Sequence, residues 1–377
     1  MLNAFGRKNQ KKRGDFLLLI AVWFVVAFGL VMIYSASNYS ANADYGDRFF
    51  FVKKQAFGAI IGACGMTLFA LFDYRKLQKF ALAAMIVSIV LLALVFVPFI
   101  GVENYGAKRW IRLGMITIQP SDIAKFGFII FTSSYVAKYP QKIKTFRGVL
   151  PILLAGGIIC VLIMLEPNMS ITMCVGMLML AMLFVAGMRV RHFVMILLPA
   201  LALVPILILI EPYRLNRLSA FLNPWASPKG EGYQLLQSLY ALGSGGWFGV
   251  GIFHSRQKFE FLPFSESDFI LSVIGEEIGF IGCLFLFAVL GFIVYRGLKI
   301  AARCDNLFGR MMATGISLIF GVQVMVNALV VTGSIPPTGL PLPLVSCGNT
   351  SLIVFLSGIG ILYNVSKQNT DELLWRN

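Results

Sequence analysis

The 377-residue chain is 58% hydrophobic and only 13% charged, whereas charged residues make up about a quarter of an ordinary soluble domain. That composition excludes a water-soluble enzyme and requires that most of the chain be buried in lipid. Lys+Arg 32 against Asp+Glu 17 give a formal charge of +15, which belongs to the loops and so carries information about orientation.

Apolar runs of roughly 20 residues, each able to cross a hydrocarbon core of ~30 Å as a helix, fall at 15–37, 51–72, 78–99, 118–137, 149–165, 168–188, 192–211, 268–295, 311–332 and 346–366. The alternating half-length runs of a barrel are absent from the sequence. The expected fold is therefore an all-α membrane protein of about ten transmembrane helices with a large extracytoplasmic loop between helices 7 and 8. It forms one polytopic domain over 1–377, with a basic cytoplasmic tail at 1–14, the outer loop at 212–267 and a second cytoplasmic tail at 367–377.

Arg7, Lys8, Lys11, Lys12 and Arg13 precede the first run and Ser35-Ala36-Ser37 follows it, as in a signal peptide. The run is too long for a cleaved h-region, so a retained helix is expected. The side of the membrane that holds this tail also collects Arg75, Lys76, Lys79, Lys138, Lys142, Lys144, Arg147, Arg189, Arg191, Arg296, Lys299, Arg303, Arg310, Lys367 and Arg376. By the positive-inside rule that side is cytoplasmic and both termini lie there.

The opposite side carries cations that run against the rule, most of them in segments 100–117 and 212–267: Lys108, Arg109, Arg112, Arg214, Arg217, Lys229, Arg256 and Lys258, with Arg48, Lys53 and Lys54 nearby. Solvation of loop surface would account for any one of them. As a set they fit an anionic ligand, because guanidinium and ammonium groups are the usual partners of phosphate oxygens.

In the fourth run, Asp122 and Lys125 are three apart and can pair across a helical face. Segment 212–267 is far longer than an ordinary connection and too rich in aromatic and apolar residues to stay solvated, so it is expected to fold against the helices. Its glycines, Gly243, Gly245, Gly246, Gly249 and Gly251, lack the strand and lysine context of a nucleotide loop and read as turns or close packing.

Ser265-x-x-Asp268 at the mouth of the eighth run matches a capping box, and Asp268 could equally be a carboxylate that accepts a proton from an attacking hydroxyl. Glu276 and Glu277 lie further along; on a helix Glu276 would sit about 80° from Asp268, so both could face one cavity, with an internal ion-pair network as the alternative. Gly333 to Pro343 holds four prolines and reads as a stiff, non-helical segment of the kind that lines a cavity. The six cysteines, and the isolated His192 and His254, have no metal-ligand spacing.

Several ordered blocks then resemble one family: Tyr34-Ser-Ala-Ser37; Gly106-Ala-Lys-Arg-Trp-Ile111 with Gln119-Pro-Ser-Asp-Ile-Ala-Lys125; Phe221-Leu-Asn-Pro-Trp225; Ser255-Arg-Gln-Lys258; Phe261-Leu-Pro263 with Asp268-Phe-Ile270 and Gly275-Glu-Glu277; and Pro337-Thr-Gly339. Together they resemble the FtsW/RodA/SpoVE, or SEDS, proteins over nearly the whole chain, nearer the FtsW/SpoVE branch on the Tyr34-Ser-Ala-Ser37 segment.

The resemblance implies a peptidoglycan glycosyltransferase of the bacterial plasma membrane that polymerises lipid II at the outer face beside a class B penicillin-binding protein, for division, shape or sporulation. No nucleic-acid partner is implied. It assigns Asp268 as the catalytic carboxylate, acting directly or through a divalent cation, magnesium or manganese, with no other cofactor. Lys108, Arg109, Lys125, Arg217, Gln257, Lys258 and Glu277 are the expected substrate-binding residues, Lys125 and Glu277 standing in the cavity wall. Phe264 where many members have glutamate, Ser267 for threonine, Asn168-Met-Ser170 for Asp-Leu-Gly and Gly348-Asn349-Thr350 for Gly-Gly-Ser depart from the family pattern. A lipid flippase or transporter, and a non-catalytic scaffold for a transpeptidase, are the rival expectations.

Overall fold

A computed structural model of the chain describes residues 14–104, 107–113 and 116–375. Arg7, Lys8, Lys11, Lys12 and Arg13, Tyr105 and Gly106, and Arg376 lie outside the described residues. In chain order the elements are α1 (Phe16–Tyr45), α2 (Phe50–Leu71), α3 (Tyr74–Leu77), α4 (Ala81–Leu94), β1 (Gly101–Asn104), β2 (Ala107–Leu113), β3 (Ile116–Ile118), α5 (Pro120–Lys138), α6 (Phe146–Leu165), α7 (Met169–Val185), α8 (Val190–Ile210), α9 (Pro212–Leu222), α10 (Tyr233–Gly245), α11 (Ile270–Arg303), α12 (Leu307–Val331) and α13 (Asn349–Trp375).

Among the described residues eight helices are long and apolar enough to cross a membrane, α3 and α4 running together as one of them, and α7 is a shorter apolar helix. With α5, whose apolar surface is interrupted by Asp122 and Lys125, they account for all ten expected spans. The chain is an integral membrane protein. α12 forms much of the core, packing on α5, α7 and α11, while α2 and α13 lie against each other along their length. α8 has no buried residue and stands at the periphery.

The segments that join α4 to α5 and α8 to α11 carry regular structure of their own. β1, β2 and β3 form an antiparallel three-stranded sheet between α4 and α5, with Ile111 opposite both Gly101 and Ile118. Segment 212–267 contains α9 and α10, and α10 packs on α11, where the Ser238 and Ser272 hydroxyls lie 2.8 Å apart and the Ser238 hydroxyl also meets the Val331 carbonyl at 2.8 Å. The sheet and this segment gather at one end of the bundle.

The expected capping box is absent. α11 starts at Ile270, its cap residue Phe269 makes no side-chain cap bond, and the Ser265 hydroxyl donates instead to the Ala36 carbonyl at 3.2 Å. Asp268 therefore precedes the helix, so the angular argument that placed Glu276 and Asp268 on one cavity does not apply to it.

α11 is also broken at Gly279, at φ 68° and ψ −171°, a region that essentially only glycine enters. Residues 246–251 lie across the break: Val250 and Gly251 N–H groups donate to the Glu276 and Glu277 carbonyls at 2.9 and 3.0 Å, and Phe280 and Ile281 N–H groups donate to Gly246 and Trp247 carbonyls at 2.9 and 3.1 Å. The backbone groups released by the kink are thus satisfied within the protein, as a low-polarity surrounding demands.

Candidate active site

A cavity of about 880 Å³ opens at the loop end of the bundle. Its wall combines polar groups from β2, α5, α7, α9 and the start of α13 with apolar side chains including Met164, Leu165, Met173, Val204 and Ile208 from α6, α7 and α8. A polar chamber with one greasy side suits a molecule that has a charged head and a hydrocarbon tail.

Asp268 lines this cavity. Its Oδ1 accepts from the Ser267 hydroxyl at 3.0 Å, and its main-chain carbonyl accepts from Asn327 Nδ2 at 2.9 Å. The same Asn327 nitrogen donates to the Leu340 carbonyl at 2.7 Å, so one buried amide on α12 ties the aspartate to the proline-rich segment. That segment passes close to the carboxylate: a Cβ on Gly339, which has φ +67°, would lie 3.2 Å from Asp268 Oδ2. Burial pushes the Asp268 carboxyl above the usual carboxylate range, while the Ser267 hydroxyl and the charges of Arg217 and Arg109 pull it back.

Arg109, Arg214 and Arg217 line the same chamber. Arg109, on β2, donates through Nε to the Glu166 carbonyl at 3.1 Å and through an Nη to the Pro167 carbonyl at 2.5 Å. Arg214 Nη1 donates to the Leu207 carbonyl at 2.7 Å, and Arg217 Nη1 to the Pro337 carbonyl at 3.2 Å. These carbonyls orient the guanidinium groups and carry no formal charge. Burial pushes the neighbouring Glu166 carboxyl up to about 8 against the pull of Arg109, so near neutral pH it is largely uncharged.

The other expected binding residues lie elsewhere. Lys108 is exposed on β2, outside the cavity lining. Lys125 is 1% exposed and sits below the wall, its Nζ 2.7 Å from Asp122 Oδ1 and 3.1 Å from Gln323 Oε1; Asp122 is the member of the pair that reaches the cavity. Gln257, Lys258 and Glu277 also lie outside the lining.

The last two belong to a buried cluster under the break in α11. Glu277 Oε1 accepts from the Ser35 hydroxyl at 2.5 Å and the Ser255 N–H at 3.3 Å, and faces Lys258 Nζ at 3.5 Å. Lys258 Nζ also donates to the Phe253 carbonyl at 2.5 Å. Glu276 accepts from the Ser255 hydroxyl and from the N–H groups of Arg256 and Gln257 at 3.0 and 3.4 Å. Glu277 and Lys125 thus stand behind the chamber lining rather than in it, and Lys258 lies apart from Arg109 and Arg217, with Lys125 facing Asp122 and Lys258 facing Glu277.

Sequence reasoning missed Asn327, the amide that fixes Asp268, although an asparagine inside an apolar span was a visible signal. It also missed Glu166, which shows no pairing pattern along the chain.

Comparison with known proteins bears on this geometry. The family model described as Cell cycle protein, FtsW/RodA/SpoVE, matches residues 16–371. Stage V sporulation protein E of Bacillus subtilis (strain 168) is 39% identical over 364 residues, 95% of this chain and 98% of that protein. A protein named probable peptidoglycan glycosyltransferase FtsW, from Geobacter sp. (strain M18), is 38% identical over 353 residues, 93% of this chain and 96% of that protein. Among solved structures, a chain of a peptidoglycan synthase complex studied for its coordination of polymerization and crosslinking is similar with a TM-score of 0.79 and 30% identity, over 94% of this chain and 98% of that one. The rod shape determining protein RodA of Thermus thermophilus follows with a TM-score of 0.68 and 27% identity, over 94% and 97%.

Proposed function

This chain belongs to the FtsW/RodA/SpoVE family of cell cycle proteins, and from that premise we infer that it is a peptidoglycan glycosyltransferase that polymerises lipid II at the outer face of the bacterial plasma membrane. The observation that carries the reading to particular atoms is a carboxylate, Asp268, lining a half-apolar chamber beside Arg109 and Arg217.

The chemistry follows from those groups. A hydroxyl of one lipid-linked sugar attacks the anomeric carbon of another. The new C–O bond forms as the bond from that carbon to the diphosphate oxygen breaks, and its electron pair leaves with the diphosphate. Asp268 takes the proton of the attacking hydroxyl; burial, which raises its carboxyl, makes the ionised form a stronger base than an ordinary carboxylate. Arg109 and Arg217 offset the charge that grows on the departing diphosphate. The apolar wall accepts the start of the polyprenyl chain.

A magnesium or manganese ion at Asp268 would add Lewis-acid stabilisation of the diphosphate. Among the described residues no group of three or more His, Cys, Asp or Glu side chains could hold a metal, so such an ion would take its other ligands from substrate and water, a common arrangement for magnesium. We propose, on the cation pattern, that both termini lie in the cytoplasm and the chamber outside. A class B penicillin-binding protein is the proposed partner, supported by the similarity to a chain of a synthase complex.

The test is glycan length on gels from purified protein and lipid II, with and without EDTA and with and without the transpeptidase. Asp268→Ala is expected to bind lipid II and to make no chains. Polymerisation by that variant at the wild-type rate would remove the catalytic assignment, and movement of labelled lipid II across liposomes without chain growth would favour a transporter.

A further inference from the structure

The first turn of α13 is built unlike the other helix starts at the chamber. Gly348, Asn349, Thr350 and Ser351 all line the cavity. The Cys347 N–H donates to the Glu266 carbonyl at 2.9 Å, the Gly348 N–H to Gln55 Oε1 at 3.2 Å, and the first helical bond runs from the Leu352 N–H to the Gly348 carbonyl at 2.9 Å. Between them, the N–H groups of Asn349, Thr350 and Ser351 meet no acceptor among the described residues. Ser351 is only 6% exposed, lines the cavity, and its hydroxyl has no partner; Asn349 Oδ1 has none either.

A cation stands beside this turn. Lys54, on α2, lines the cavity and has no carboxylate partner among the described residues. Its neighbour Gln55 holds the turn from both sides, donating to the Ser346 carbonyl at 3.0 Å and accepting from Gly348. Unbonded N–H groups at the positive end of a long helix, a buried hydroxyl and an ammonium group are the complement of phosphate oxygens. At another helix start on the wall, Asn168 already caps α7 by accepting from the Ile171 N–H at 3.3 Å.

The geometry points to a second diphosphate subsite at the start of α13, formed by Lys54, Ser351 and the N–H groups of residues 349–351, which holds the diphosphate of the attacking substrate. This inference rests on the reading of the chamber as a lipid II polymerase. Joining two lipid-linked sugars brings two diphosphates to one cavity: one departs, the other stays attached to its lipid. Two such anions on one set of arginines would repel each other. Arg109, Arg214 and Arg217 come from β2 and α9, whereas Lys54 comes from α2, so the fold supplies each anion with its own cations.

The test uses the full chain in detergent, with inorganic pyrophosphate as the probe in calorimetry. Wild type is expected to bind two pyrophosphates and Lys54→Gln one, the remaining site being lost on Arg217→Ala. In polymerisation, Lys54→Gln and Ser351→Ala are expected to raise the KM for lipid II about tenfold, the scale of one lost charged contact, with kcat within about twofold of wild type. Lys54→Arg should restore the KM, and unchanged melting temperatures separate the effect from misfolding. Equal pyrophosphate binding by wild type and Lys54→Gln would overturn the subsite, as would orthophosphate competing as well as pyrophosphate, which would assign it to free phosphate. A wild-type protein that makes no glycan would instead overturn the polymerase reading itself.

Discussion

Burial raises the Asp268 carboxyl, and the Ser267 hydroxyl, Arg217 and Arg109 hold it down, so these groups together set where the proposed base becomes available. A carboxylate base is present above its pKa and lost as pH falls through it. Removing Arg217 takes away a charge that favours the ionised form, so the carboxyl rises further. The acid limb of the pH dependence of kcat/KM is therefore expected to move to higher pH in Arg217→Ala, which a pH series on purified protein would reveal; a limb that stays in place would separate Asp268 from the titrating group.

Lys258 and Glu277 make a different case at the same scale. Their side chains are 4% and 0% exposed, and truncating one partner of a buried pair costs about 3–5 kcal/mol because the other charge is left unpaired. Lys258→Gln is expected to melt at a lower temperature while its affinity for lipid II holds. Lost affinity at an unchanged melting temperature would return Lys258 to the substrate. Sequence alone could not separate Lys258 from Arg109, since both are cations in motif blocks on the same side of the membrane. What divides them is that Arg109 lines the cavity while Lys258 packs against Glu277 outside it, and that depends on the tertiary fold.

At the scale of elements, hydropathy located the spans because lipid imposes length and apolarity on every crossing. It did not reveal β1 to β3, whose strands of four, seven and three residues are too short for periodicity to register, yet β2 is the element that carries Arg109. The break in α11 was equally hidden: Gly275 and Gly279 are two glycines of one apolar run, and only the second leaves the helical conformation. Gly279→Ala would force alanine into a glycine-only conformation, at about 1–3 kcal/mol, and its Cβ would also run into the backbone of Phe248 and Gly249. The variant should lose thermal stability in detergent by at least that amount; wild-type melting would mean the break is not required.

Across the whole molecule, charge and hydropathy divide the labour of holding an amphiphile. The arginines and Lys54 meet the polar head, while Met164, Leu165, Val204 and Ile208 give the tail a route toward lipid along peripheral α8. A polar group on that route should penalise long tails more than short ones. Ile208→Asn is expected to raise the KM for undecaprenyl-linked substrate several-fold, about the value of burying a few methylenes, and to leave a short-chain analogue nearly unaffected. Equal effects on both would place the tail elsewhere.

The strap of residues 246–251 also constrains how the protein comes into being. It precedes α11 in the chain and supplies bonding partners to main-chain groups that a continuous helix would pair with each other across Gly279. Without the strap, the Glu276 and Glu277 carbonyls would take the Phe280 and Ile281 amides as their regular helical partners, so the break exists only where the strap has replaced those bonds. Loop and helix therefore mature as one cooperative unit, and a chimera that borrows residues 212–267 from a relative must borrow residues 276–281 as well.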